Sequence, residues 1–278
     1  MKAQEFFIKM RDGVDLRVRS VFSDKKITVI ALHGIAEHLG RHSYLEELLA
    51  DSYNLVQFDL RGHGKSGGRK GYIKDFSQYL DDLEDLISYL EREKNMTSYM
   101  LFGHSMGSLI SWLFLRRTKI HNLPLKVFLC APPVMVPGRL GKILPQTLLK
   151  GVLKLPLKLW LPRPFSISTL SHDPQVEKMV ENDPLCFSVF SNQLVVGLAH
   201  ASKEAFSSEY FPTCPVGVAI GSEDKIVHCP RVLSYFQKCG KQINLKFFEG
   251  AYHELHNEIE IYRRPYLSFV KNFFKQNS

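Results

Sequence analysis

The sequence predicts an α/β fold: a mostly parallel central sheet with helices on both faces and one inserted cap. Three observations predict it. Short apolar runs ending near Gly, Asp or Pro alternate with longer stretches of helical periodicity. Those runs are apolar at nearly every position, as strands covered on both faces must be. The alternation breaks once, in a proline-containing segment in the middle of the chain. A chain of 278 residues, 45% hydrophobic and 23% charged, can bury a core of this size.

In chain order, inner strands are expected at residues 27–32, 55–60, 99–102, 125–130, 215–220 and 245–248. Amphipathic or buried helices are expected at 44–50, 76–93, 106–117, 230–238 and 258–274. After the strand ending at Cys130, residues 134–211 carry Pro137, Pro145, Pro156, Pro162 and Pro164 before a strand returns near Pro215. This segment reads as a cap inserted into a core formed by 1–133 and 212–278. Internal repeats, low-complexity tracts and interdomain linkers are not visible.

Lys2, Glu5 and Lys9 interrupt the N-terminal stretch, which therefore lacks the apolar run of a secretory signal, and a cytoplasmic location is expected. Five cysteines without CxxC spacing read as ordinary thiols of a reducing compartment. The formal net charge is +8, unevenly placed: residues 94–172 hold eleven Lys or Arg and no acidic residue. In the cap, Arg139, Lys142, Lys150, Lys154, Lys158 and Arg163 stand among leucines and Trp160. Lys150, Lys154 and Lys158 recur every four residues, although Pro156 interrupts any helix between them. Two readings of this cap stay open: peripheral contact with an anionic membrane, or a lid whose leucines roof a tunnel while its lysines face water.

Gly103-His104-Ser105-Met106-Gly107 lies between an apolar strand and an apolar helix, the context in which G-x-S-x-G forms a strained elbow that lifts a serine hydroxyl off the sheet edge. The pattern alone is weak, since roughly one chain in ten of this length contains it by chance. Gly64-Lys65-Ser66-Gly67-Gly68 also matches, but no apolar helix follows, so Ser66 is assigned to a loop. That stretch resembles a phosphate-binding P-loop tail too, yet Asp59 stands where its leading glycine belongs.

An activated serine needs a base, and the base needs an acid. Asp224, after Gly221-Ser222-Glu223, and His253, after Gly250-Ala251-Tyr252, follow the last two inner strands in the order Ser, acid, His. Glu223 is the competing acid and His256 the competing base. Backbone N–H groups of Met106 and of Ile35, after His33-Gly34, are the expected oxyanion donors. The histidines show neither HExxH nor a Cys/His zinc set, and no metal or organic cofactor is expected.

With His33-Gly34-Ile35-Ala36-Glu37-His38, Asp59-Leu60-Arg61-Gly62-His63-Gly64-Lys65-Ser66 and the paired Asp173-Pro174 and Asp183-Pro184, these motifs resemble the monoglyceride lipase and lysophospholipase branch of the serine aminopeptidase S33-like hydrolases, across nearly the whole chain. The resemblance implies an α/β-hydrolase fold and hydrolysis of single-chain lipid esters. It also implies a glycerol head group held by the residues at Glu37, Arg41 and His256; loop bracing is their bland alternative. Ile35-Ala36 and Ser108 depart from the smaller residues common in that branch, with an expected narrowing or reshaping of the pocket. A small-ester esterase or a proline aminopeptidase is the competing enzyme. A non-catalytic hydrolase core that binds an anionic membrane or nucleic acid is the alternative from another class, and the intact triad argues against it.

Overall fold

A computed structural model describes residues 3–117, 122–134 and 159–276. Its central sheet has eight strands in the order β1-β2-β4-β3-β5-β6-β9-β10. They are β1 (Gln4–Lys9), β2 (Asp15–Val21), β3 (Ile27–Leu32), β4 (Asn54–Phe58), β5 (Ser98–His104), β6 (Val127–Cys130), β9 (Val216–Gly221) and β10 (Ile243–Phe248). From β4 to β10 every pairing is parallel; β1 with β2 and β2 with β4 are antiparallel.

The six strands expected from the sequence are the parallel set, and their continuous hydrophobicity has a direct cause. Ile30 and Leu32 of β3 join one core with Leu101 and Leu129, while Val29 and Ala31 join the opposite core with Met100, Phe102 and Phe128. Successive side chains point to opposite faces, and both faces are covered. Helices α2 (Ser77–Glu93), α3 (Met106–Arg116) and α6 (Cys229–Phe236) cover the first; α1 (Tyr44–Leu49) and α7 (Glu260–Lys275) cover the second.

The sequence reading lacked the edge hairpin β1–β2. Its strands alternate, with Phe6 and Ile8 opposite Val18 and Leu16, and Gly13 at φ 88° closes the turn after Asp12. The Asp-Gly pair between alternating runs is a hairpin signal that could have located it.

Between β6 and β9, the described chain forms a small separate sheet of β7 (Trp160–Pro162) and β8 (Val189–Ser191), with α4 (Pro174–Asn182) and α5 (Asn192–Phe206). Helix α5 lies against α3. Arg139, Lys142, Lys150, Lys154 and Lys158 lie outside the described residues. Among the described residues, no helix is long and apolar enough to cross a membrane.

Candidate active site

Ser105 occupies the turn between β5 and α3 at φ 49°, ψ −113°, a conformation that costs a non-glycine residue about 1–3 kcal/mol. Its neighbours enforce it. A Cβ on Gly103 would lie 2.5 Å from the Gly107 carbonyl oxygen, and one on Gly107 would lie 2.4 Å from the Leu32 carbonyl oxygen. Only glycines on both sides let strand, turn and helix close. The Ser105 N–H donates to the Cys130 carbonyl at 2.8 Å, tying the turn to β6. Ser108 is fully buried behind the turn, its hydroxyl 2.7 Å from the Gly103 oxygen and 2.8 Å from the Cys130 oxygen. Ser108 does not line the cavity around Ser105; it braces the elbow from the rear.

Met106 is the first residue of α3, where an N–H has no partner within the helix. Neither its N–H nor that of Ile35 donates to an acceptor among the described residues. His33 shapes the loop that carries Ile35. Its Nε2 accepts from the Leu60 N–H at 2.9 Å, so Nδ1 carries the proton and donates to the Gly34 carbonyl at 2.7 Å. Burial pushes the His33 pKa down to about 4, which keeps this neutral tautomer in place.

Asp224 follows β9, with Oδ1 accepting from the N–H groups of Ile226 at 2.8 Å and Val227 at 2.9 Å. Its Oδ2 accepts from His253 Nδ1 at 2.7 Å. The carboxylate is held at three points, and the bond assigns the His253 proton to Nδ1. Burial acts to lower the His253 pKa, but the charge and hydrogen bond of Asp224, with Glu254 and Glu37, outweigh it and hold the imidazole above its ordinary value. Glu223 is exposed and paired with Lys225 at 3.3 Å, away from His253.

Ser105 and His253 line one narrow cavity of about 40 Å³, together with Ile35, Glu37, Arg41, Arg163, Phe165, Leu170, Val180, Cys186, Ile226 and Glu254. The cavity has room for roughly a water or two.

Glu37 and Arg41 reach this cavity, but their bonds point into the protein. Glu37 accepts from the Gly34 N–H, from Arg41 Nε at 3.2 Å and from His42 Nε2 at 3.0 Å. Arg41 bonds Glu254 as well, and Glu254 accepts from Asn257 at 2.7 Å. A buried carboxylate and guanidinium must be paired in this way. Burial alone would raise the Glu37 pKa; His42, His104 and Arg41 overcome it and hold the carboxyl well below the usual range. The contacts therefore fit loop bracing rather than a head-group clasp. His256 does not line the cavity. It is buried against Tyr44 and His42, with ring centroids 5.1 and 4.5 Å away, and burial keeps its imidazole well below the ordinary value.

Sequence reasoning also missed how the segment between β6 and β9 is held against the loop after β3. His38 Nε2 lies 2.7 Å from Asp183 of the second Asp-Pro pair, and the Phe187 N–H donates to Ala36 at 3.2 Å. His38, Asp183 and Cys186 bring ligand-type atoms within 4.8 Å of one another. His38 Nδ1 accepts from the Gly40 N–H at 3.1 Å, so Nε2 is the protonated donor to Asp183. Burial pushes the Cys186 thiol up to about 12. The His38–Asp183 hydrogen bond thus ties the loop after β3 to the turn after α4.

Known proteins resemble the chain in sequence and in fold. The chain is 26% identical over 247 residues to a monoacylglycerol lipase from Mycolicibacterium smegmatis, covering 86% of this chain and 85% of that one. It is 26% identical over 243 residues to the phospholipase YtpA of Bacillus subtilis, covering 86% and 92%. In fold it matches the crystal structure of a soluble variant of Saccharomyces cerevisiae monoglyceride lipase, with a TM-score of 0.85 and 17% identity over 99% of this chain and 96% of that one. The family model for serine aminopeptidase, S33, spans residues 23–260, and the chain belongs to that family of hydrolases.

Proposed function

We propose that the protein is a serine carboxylester hydrolase acting on single-chain lipids, monoacylglycerol or lysophospholipid, through an acyl-enzyme formed on Ser105. The observation that carries this reading is the pairing of a strained, cavity-facing Ser105 with a His253 whose Nδ1 is held by Asp224. Ser105 Oγ makes no hydrogen bond among the described residues; its bond to His253 Nε2 forms in the substrate complex. Residues 134–211 serve as the cap over a core of 1–133 and 212–278, and the acyl chain enters when the cap-side wall of Phe165, Leu170 and Val180 moves outward.

Ser105 Oγ attacks the ester carbonyl carbon while His253 Nε2 takes its proton. The N–H groups of Ile35 and Met106 donate to the oxyanion, each contributing about 3 kcal/mol in the transition state. When the carbon–oxygen bond to the leaving alcohol breaks, imidazolium returns the proton to that oxygen. Water then attacks the acyl carbon with His253 as base, releasing fatty acid and free Ser105. Asp224 orients the ring and stabilises the imidazolium. The scheme uses only groups of this chain.

Two observations favour an apolar ester over a peptide. Ile35, Phe165, Leu170, Val180 and Ile226 line the cavity. Its two carboxylates, Glu37 and Glu254, are both bonded to Arg41, which leaves neither for the α-ammonium of an aminopeptidase substrate. Hydrolysis of a panel of monoacylglycerols, lysophospholipids, nitrophenyl esters and prolyl amides tests the reading. Turnover of the lipid esters is expected, and turnover of prolyl amides alone would contradict it.

The basic cap adds a proposed peripheral contact with anionic membrane through Lys142, Lys150, Lys154 and Lys158. Arg163, expected to share that role, instead lines the cavity. Vesicle binding that requires anionic lipid and weakens with salt is the expected result; equal binding to neutral vesicles would remove it.

A further inference from the structure

The charges at the cavity fall into two groups. Arg41 is compensated by Glu37 and Glu254. Arg163 is not. It follows β7, its N–H anchored to the Ser188 carbonyl at 2.7 Å, and its guanidinium carbon stands 5.6 Å from the Phe165 ring centre. Around it on the cavity wall are Phe165, Leu170, Val180 and Cys186. Among the described residues no carboxylate comes within 4.0 Å of it, the ion-pair limit that all the other pairs of the site meet.

An undescribed side chain cannot supply that carboxylate either. Residues 1–2, 118–121, 135–158 and 277–278 contain no Asp or Glu. Glu181 acts on Arg163 only through space and is itself exposed. Burial lowers the Arg163 pKa, as expected for a guanidinium that has lost water without gaining a counter-ion. A half-buried guanidinium without a carboxylate keeps its charge available to an anion, and its planar fork matches the oxygens of a phosphate.

We propose that Arg163 is an anion-binding subsite of the cavity that takes the phosphate of a single-chain lysophospholipid, so that the protein prefers an anionic lipid ester to a neutral monoacylglycerol. This rests on the ester-hydrolase reading and narrows its substrate. The phosphate oxygens accept from the guanidinium while the ester carbonyl lies at Ser105. Neutral glycerol offers the guanidinium no counter-charge.

The test uses two esters of one acyl length, 1-decanoylglycerol and 1-decanoyl-lysophosphatidic acid, kept below their aggregation concentrations, with the whole chain and its Arg163→Gln and Arg163→Lys variants. Wild type is expected to favour the phosphate ester by about tenfold in kcat/KM, the scale of one charge-assisted contact. Arg163→Gln lowers that value by about tenfold through KM and lowers the value for decanoylglycerol by a clearly smaller factor; Arg163→Lys recovers part of the loss on the phosphate ester. Equal fluorophosphonate labelling rates confirm that the variants keep the site. An equal effect of Arg163→Gln on both esters overturns the subsite but not ester hydrolysis. Cleavage of neither ester overturns both readings. Relief of inhibition by free decanoate, without a change in the ester ratio, assigns the charge to the product carboxylate and overturns the head-group role.

Discussion

Two segments of this chain carry the same five-residue pattern, and they do opposite work. In Gly103–Gly107 the serine is forced to φ 49° between a buried strand and a buried helix, and its hydroxyl has no hydrogen bond among the described residues. In Gly64–Gly68 the Ser66 hydroxyl donates to the Asp59 carbonyl at 2.6 Å and accepts from the Arg17 N–H at 2.8 Å. Its glycines serve a different need. Gly64 sits at φ +51°, and a Cβ there would meet the Asp59 carboxylate at 2.3 Å. That carboxylate in turn collects the N–H groups of Leu39 and Lys65, both at 2.8 Å, and Arg17 at 3.3 Å. The same glycine pattern therefore serves a strained serine with an unused hydroxyl in one place and a hydrogen-bonded loop serine in the other, and only the first suits the proposed nucleophile.

Experiments on the first segment and its partners should give the larger effects. Asp224→Asn is expected to reduce kcat by roughly 10⁴-fold, because the amide no longer fixes the His253 tautomer; steady-state hydrolysis measures it. Gly107→Ala drives a methyl into the Leu32 carbonyl and should cost several kcal/mol, read as a fall in unfolding midpoint together with loss of activity.

The pH profile sharpens the contrast further. His253 must be neutral to act as base, and its pKa is raised above the usual 6.5. Activity is therefore lost as pH falls through a limb above 6.5. In Asp224→Asn the largest raising charge is gone while burial remains, so the residual activity should show its limb at lower pH than wild type. A limb at the same pH in both would break the assignment. Ser66→Ala has the smallest effect: about 1–3 kcal/mol of stability, from the Arg17 N–H left without its acceptor, and kcat/KM near wild type.

Most of the parallel set was legible because strands covered on both faces carry few polar positions; β10, at the sheet edge, exposes Asn244 and Lys246, and only its last four residues were legible. The hairpin was not, because Arg17 and Arg19 sit within β2; Arg17 is nevertheless buried, since Glu5 and Asp59 neutralise it from two other elements. Asp224 and His253 were found from chain order and strand ends. The role of Glu37 was harder to see, because its partners include Gly34, His42 and, through Arg41, Glu254 some two hundred residues away. Spacing signals which face of an element a residue takes; it carries no record of which distant charge will consume its lone pairs.

The central claim is that one of two look-alike serines is the nucleophile, and active-site labelling tests it most directly. Wild type and Ser66→Ala are expected to react with a fluorophosphonate probe at similar rates, and Ser105→Ala, folded by circular dichroism, is expected not to react. Labelling that survives in Ser105→Ala, or vanishes in a folded Ser66→Ala, would contradict it.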